Sequence, residues 1–175
     1  MPHLLLLRHA KSDWGTPELK DFDRPLNSRG RTAARVMAKY IAESGFKPDL
    51  VLCSTAQRTR ETLSRLLTVI RHQTDIRLLH TLYDQSEDAY LPAIRSLGGQ
   101  AQTLMVIGHN PATEETAHLL YGSGAPELKA DMELKYPSGA LTIYECPAES
   151  WADLAPGTCH LKAFVKPRAL AGENG

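Results

Sequence analysis

Two histidines and three arginines are spaced so that they can act on one guest. Arg8-His9 closes the apolar run Leu4 to Leu7, and Gly108-His109-Asn110 closes the run Thr103 to Ile107. Ser54-Thr55-Ala56-Gln57-Arg58 follows a third run, Leu50 to Cys53, and Arg24 lies in the polar stretch after the first. A guanidinium is permanently charged and presents a planar fork matched to phosphate oxygens. Burying one without a partner is costly, so several converging in a neutral chain point to a dianionic guest. The competing reading pairs each arginine, Arg24 above all, with one of the 20 acidic residues. Two histidines can ligate a metal, but third and fourth ligands at metal spacing are not evident, and neighbouring arginines repel a cation. Alternatively, one imidazole is a nucleophile and the other its electrostatic partner. Its reference pKa of about 6.5 leaves an imidazole with a free lone pair at neutral pH. It can take a phosphoryl group and release it to water, while a protonated partner stabilises the phosphoryl oxygens.

Such a site needs elements that bring these residues together. His3 to Leu7 is continuously apolar and suits a strand buried on both faces. Lys11 to Leu26, with Gly15, Pro17 and Pro25, reads as a long loop. Asn27 or Ser28 caps a helix to about Ser44, stopped by Gly45. Leu50 to Cys53 is a second strand, followed by a helix from a Ser54 or Thr55 cap to about Ile70. Asp75 to Leu79 is a third strand, Ser86 to Leu97 a helix, Thr103 to Ile107 a fourth strand and Ala112 to Tyr121 a helix capped by Asn110 or Thr113. Strands Leu141 to Glu145 and Leu161 to Val165 follow, and the tail after Pro167 is expected to fray. The alternation predicts an α/β three-layer sandwich, a mostly parallel sheet flanked by helices. Ligands of such sheets bind beyond the carboxyl ends of the strands, where all three motifs fall. Arg8 and Arg58 are expected at the ends of adjacent strands.

A chain of 175 residues suits a single domain spanning 1–175, since domains run to roughly 100–200 residues. Twenty basic and twenty acidic residues leave no net charge, which argues against general binding of nucleic acid or anionic membrane but permits a local basic pocket. Cys53, Cys146 and Cys159 are scattered and suggest neither a disulfide framework nor zinc. With no stretch approaching a membrane helix of about 18 apolar residues, a cytoplasmic location is expected.

Leu6-Leu7-Arg8-His9-Ala10 resembles the Arg-His-Gly signature of the histidine phosphatase (phosphoglycerate mutase-like) superfamily. Ser54 to Arg58 with Thr62 resembles its second arginine motif, and Val106-Ile107-Gly108-His109-Asn110 its second histidine motif. Arg8 to Ser12, Asp21 to Leu26 and Arg29-Gly30, with no large insertion, are most similar to the short SixA-type phosphohistidine phosphatases. The resemblance covers about residues 3 to 145. It implies the phosphoglycerate mutase-like fold, His9 as nucleophile, and Arg8, Arg58 and His109 as phosphate ligands. It further implies Arg24 as another phosphate-side contact and Asp21 as the loop carboxylate that is the catalytic candidate where larger relatives supply a general acid; the competing reading of Asp21 is a loop carboxylate paired with Arg24. No cofactor is expected. Ala10 stands where many members have glycine. Lys11 and Ser12 follow the nucleophile and are read as plain loop residues.

Three functions compete. The first is a phosphatase acting on phosphohistidine of a protein partner, favoured by a shallow, insertion-poor site unless the 11–26 loop folds over it. The second is a phosphatase of small phosphate esters, and the third a non-catalytic phosphoprotein-binding module. A mutase is less favoured, since the chain shows no extra segment to retain and re-orient a two-phosphate intermediate.

Overall fold

The computed structural model describes residues 1–84 and 90–172. Seven strands form one sheet: β1 (His3–Arg8), β2 (Leu50–Ser54), β3 (Asp75–Leu79), β4 (Thr103–Gly108), β5 (Tyr121–Gly124), β6 (Leu141–Glu145) and β7 (Cys159–Val165). Their order is β3-β2-β4-β1-β6-β7-β5. Pairings among β1 to β4 are parallel, as is β5 with β7, and β6 alone runs opposite to its neighbours. The fold is therefore the mostly parallel, phosphoglycerate mutase-like sandwich. One expectation changes: β4 lies between β1 and β2, so Arg8 and Arg58 do not follow adjacent strands.

The apolar run of β1 explains its central place. Leu4 and Leu6 face one layer and Leu5 and Leu7 the other, all essentially buried. On the Leu5 face pack α1 (Ser28–Glu43), α2 (Gln57–Leu67) and α6 (Pro167–Gly172). The Leu4 face holds α3 (Leu91–Leu97), α4 (Ala112–Leu120) and α5 (Pro126–Leu134). Trp151 is buried on that face, its indole donating to the Ala101 carbonyl at 2.8 Å.

Local chemistry sets most boundaries. Asn27 caps α1 by accepting from Gly30 N at 2.8 Å. Ala56, not Ser54 or Thr55, occupies the cap position of α2, because Ser54 completes β2. That helix ends at Leu67 rather than Ile70, where the β-branched run Thr68-Val69-Ile70 resists helix. Pro92 fits the first turn of α3, and the expected Ser86 cap lies outside the described residues. The segment after Pro167 does not fray over 167–172: it forms α6 and packs against α1, with Leu170 against the core. Cys146, just past β6, and Cys159, the first residue of β7, meet as buried free thiols with sulfurs 2.9 Å apart. No helix among the described residues is long and apolar enough to cross a membrane.

Candidate active site

The sheet order brings the two histidines side by side. Arg8 of β1 pairs with Gly108 of β4, and the His9 amide donates to the Gly108 carbonyl at 2.9 Å. The two imidazole centroids are 5.2 Å apart. From β1 the chain leaves through α1 on one face, and from β4 through α4 on the other, so the pair sits where the direction of winding changes. Next to β4, β2 ends at Ser54, whose hydroxyl shares a 2.8 Å hydrogen bond with His109 Nε2. Arg58, in the first turn of α2, reaches back over the pair.

His9 is 7% exposed and its tautomer is set by a neighbour. Its Nδ1 lies 2.6 Å from the Ala10 carbonyl, which only accepts, so Nδ1 carries the proton and Nε2 keeps its lone pair. Arg58 Nε is 3.4 Å from that nitrogen and donates to it. Burial pushes the His9 pKa down to about 3, against the pull of the Ala10 carbonyl, with the charges of Arg58 and Arg8 and the His109 ring adding to the depression. His109 is pushed down to about 4, first by burial and then by Arg58, with Asp21 opposing. Near pH 7 His109 is neutral, and its positive charge has to come with the guest, since a dianion alongside favours the protonated ring.

The cations differ in what they leave free. Arg8 gives Nη1 to the Tyr136 carbonyl at 2.9 Å, while its buried Nε has no partner among the described residues; nor has the buried His109 Nδ1. Buried polar atoms are rarely left so, and both can serve an oxyanion. Arg58 donates from Nη1 to the Asp21 carbonyl (2.7 Å) and from Nη2 to Asp21 Oδ2 (3.1 Å). Arg24 is buried and spent on the loop. It donates to Asp21 Oδ1 from Nε (3.1 Å) and Nη2 (3.0 Å), and from Nη1 to Ser12 Oγ (2.6 Å) and the Asp13 carbonyl (3.3 Å). Trp14, 77% exposed, stacks on its guanidinium at 3.5 Å. Arg24 thus braces the 11–26 loop, in line with the competing reading of an arginine paired to an acid. Ser12 takes part in that bracing, whereas Lys11 is exposed.

Asp21 is the hub of this loop. Its Oδ2 also accepts from the Tyr83 hydroxyl at 2.9 Å. Burial would raise its pKa, but the hydrogen bonds from Tyr83 and Arg24 and the charge of Arg58 outweigh this and hold it at about 2. The loop does fold against the site: Asp21 lies on Arg58, and the Phe22 ring packs edge-on to Tyr83 with centroids 5.0 Å apart. The picture of a bare, shallow site is corrected accordingly.

Several positioning groups carry little sequence signal. The Ala10 amide donates to Thr62 Oγ1 at 3.1 Å, tying the residue after His9 to α2. Tyr90 accepts from the His109 amide at 2.8 Å and packs on Gly108, where any Cβ would collide with its ring. A Cβ on Gly30 would run into the Lys11 carbonyl, so glycine lets α1 approach the loop. Ala10 is fully buried against Leu26 and Ala34, so its methyl has a seat. Tyr83 edges the His109 ring at 5.6 Å and was not singled out by motif or periodicity. Among the described residues no three His, Cys, Asp or Glu side chains cluster as a metal site.

Residues 4–90 match the histidine phosphatase superfamily (branch 1). An uncharacterized protein of Mycobacterium tuberculosis is 34% identical over 165 residues, covering 93% of this chain and all of that one. The crystal structure of a candidate phosphohistidine phosphatase SixA from Agrobacterium tumefaciens superposes with a TM-score of 0.79 at 30% identity, over 95% of this chain and 99% of that one. A protein histidine phosphatase SixA complexed with tungstate shares the fold, with a TM-score of 0.70 at 19% identity over 96% and 99% of the two chains. By sequence and by architecture together, the chain belongs to the histidine phosphatase superfamily, branch 1.

Proposed function

We propose that the protein is a phosphatase that passes a phosphoryl group through His9 and that its substrate is phosphohistidine on a protein partner. The observation that carries the reading is the His9 ring: Nδ1 is committed to the Ala10 carbonyl, so Nε2 is unprotonated, and its lone pair faces Arg58 in a long 3.4 Å contact that a phosphoryl group can displace. Nε2 attacks phosphorus, the Nε2–P bond forms, and the bond from phosphorus to the leaving nitrogen breaks. That nitrogen takes a proton from solvent. Water then attacks the phosphoimidazole, Nε2–P breaks, and inorganic phosphate leaves. Arg58, Arg8 Nε and His109 Nδ1 hold the phosphoryl oxygens. A phosphate that takes the donors of Arg58 also strips Asp21 of a partner and raises its proton affinity.

The substrate class follows from leaving-group chemistry. An imidazole leaves phosphorus far more readily than an alkoxide, so a phosphohistidine substrate asks little of a general acid. Asp21, ionised in the free protein, fits that demand. The Agrobacterium tumefaciens neighbour, named a candidate phosphohistidine phosphatase, supports the same class. A neutral chain with three free cysteines favours a reducing compartment such as the cytoplasm.

The test is mass spectrometry of the protein quenched without acid after mixing with a phosphohistidine-bearing protein, beside an aryl phosphate. Phosphate on His9, formed faster from the phosphoprotein, is the expected result. Labelling from the aryl ester alone moves the function to small esters. Absence of both phosphoenzyme and released phosphate overturns the enzyme reading.

A further inference from the structure

A cavity of about 430–640 Å³ class size is unremarkable in a protein, but the one beside Arg8, about 640 Å³, has an unusual wall. Its charged lining is Arg8, Lys11, Arg29, Lys135, Lys166 and Arg168, with no carboxylate among the lining residues. The whole chain has equal numbers of cations and anions, so this concentration is local. Elsewhere three of five lysines are matched, Lys39 with Glu43, Lys129 with Glu133 and Lys162 with Glu145, while Lys20 and Lys47 enter no salt bridge among the described residues. Here Lys166 alone is matched, by Asp131 at 2.7 Å. Lys11, Arg29, Lys135 and Arg168 are exposed and enter no salt bridge among the described residues. Four chain segments build this wall: the turn after β1, the start of α1, the stretch before β6 and the start of α6. Arg8 joins it to the histidines, since it lines the cavity and directly precedes His9.

We infer that this cavity docks a carboxylate-rich polypeptide segment next to the phosphorylated residue of the substrate protein. The inference rests on His9 as the point of phosphoryl transfer. Like charges gathered without counter-ions repel one another and create a field that an anionic partner relieves. A compact phosphate would be met by converging donors. Here the cations are long side chains from four chain segments lining a space of about 640 Å³, far larger than one phosphate, and Ala33, Pro137 and Pro167 line it too. A space of that size with several cations and apolar lining suits a chain segment with more than one carboxylate, its aliphatic parts resting on the apolar residues.

The experiment uses two labelled peptides of equal length around a histidine, one flanked by glutamates and one by glutamines. Binding is followed by fluorescence anisotropy, and turnover with the phosphohistidine forms. The proteins are wild type, Arg29→Glu/Arg168→Glu, and a matched reversal at the opposite end of the sheet, Lys47→Glu/Arg71→Glu. In wild type and the matched control, the glutamate peptide is expected to bind roughly tenfold more tightly at low salt, with a like gain in kcat/KM, and salt should erode both. The Arg29/Arg168 reversal should abolish the ratio. Equal binding of the two peptides, or a ratio that survives that reversal, overturns the docking site even if both peptides are dephosphorylated. A gain from the second phosphate of a small bisphosphate, dependent on Arg29 and Arg168 with none from glutamates, also overturns it. Charge-dependent binding without turnover of any phosphorylated compound upholds the docking site and defeats the phosphatase reading instead.

Discussion

A histidine that holds protons weakly is a modest nucleophile but a good leaving group, and His9 combines burial with cationic neighbours to reach that condition. The first step then leans on the arginines to draw the phosphoryl group in, and the second gains because the ring departs easily. The free-enzyme imidazoles, at about 3 and 4, place the acid limb of kcat/KM below pH 5 once the ionisation of an aryl phosphate substrate is allowed for. A limb near 6.5 would mean that the rings titrate as if in water. Asp21 occupies Arg58 with a carboxylate, so it competes with phosphate for the same donors. Asp21→Asn is expected to tighten inhibition by inorganic phosphate roughly threefold to tenfold. Weaker inhibition would show that the carboxylate instead holds Arg58 in place. His9, Arg8, Arg58 and His109 were legible in the sequence because each sits where an apolar run stops or just beyond. The engagement of Asp21 with Tyr83 was not, because it joins residues 62 positions apart that share no motif.

At the level of elements, the apolar runs of β1, β2 and β4 announced strands, and Asn27 announced the start of α1. Strand β5 and helix α5 went unread. The first is four residues with two glycines, and the second buries Met132 alone, so neither shows a periodic apolar face. The order of strands was equally hidden, since a crossover from β1 to β2 leaves no trace of the β4 strand that later fills the gap. The close approach of α1 to the loop after His9 is an element-level constraint. Gly30→Ala should cost about 1–3 kcal/mol in urea unfolding, because the added methyl meets the Lys11 backbone rather than a flexible side chain. An unchanged midpoint would show that α1 can shift outward without penalty.

For the molecule as a whole, the site is a liability in acid. Unfolded, His9 and His109 bind protons near pH 6.5; folded, they refuse them until about 3 and 4. The unfolded state therefore binds more protons between these limits, and stability falls as pH drops from about 6.5 toward 4. Thermal unfolding should show Tm declining through that window, with a flatter slope in His9→Asn. A slope unchanged in that variant would assign the acid sensitivity to other groups. The α/β sandwich as a class could be read from the alternation of runs, while the basic cavity could not, because its cations come from four distant stretches of chain. The two tryptophans have an optical consequence. Trp151 is sealed on the far layer, whereas Trp14 lies in solvent against the Arg24 guanidinium. Their emission bands are thus separated by environment, the red one reporting on the loop that carries Asp21 and the blue one on the integrity of the core. The protein carries its own pair of dyes, one for the state of the loop around Asp21 and one for unfolding.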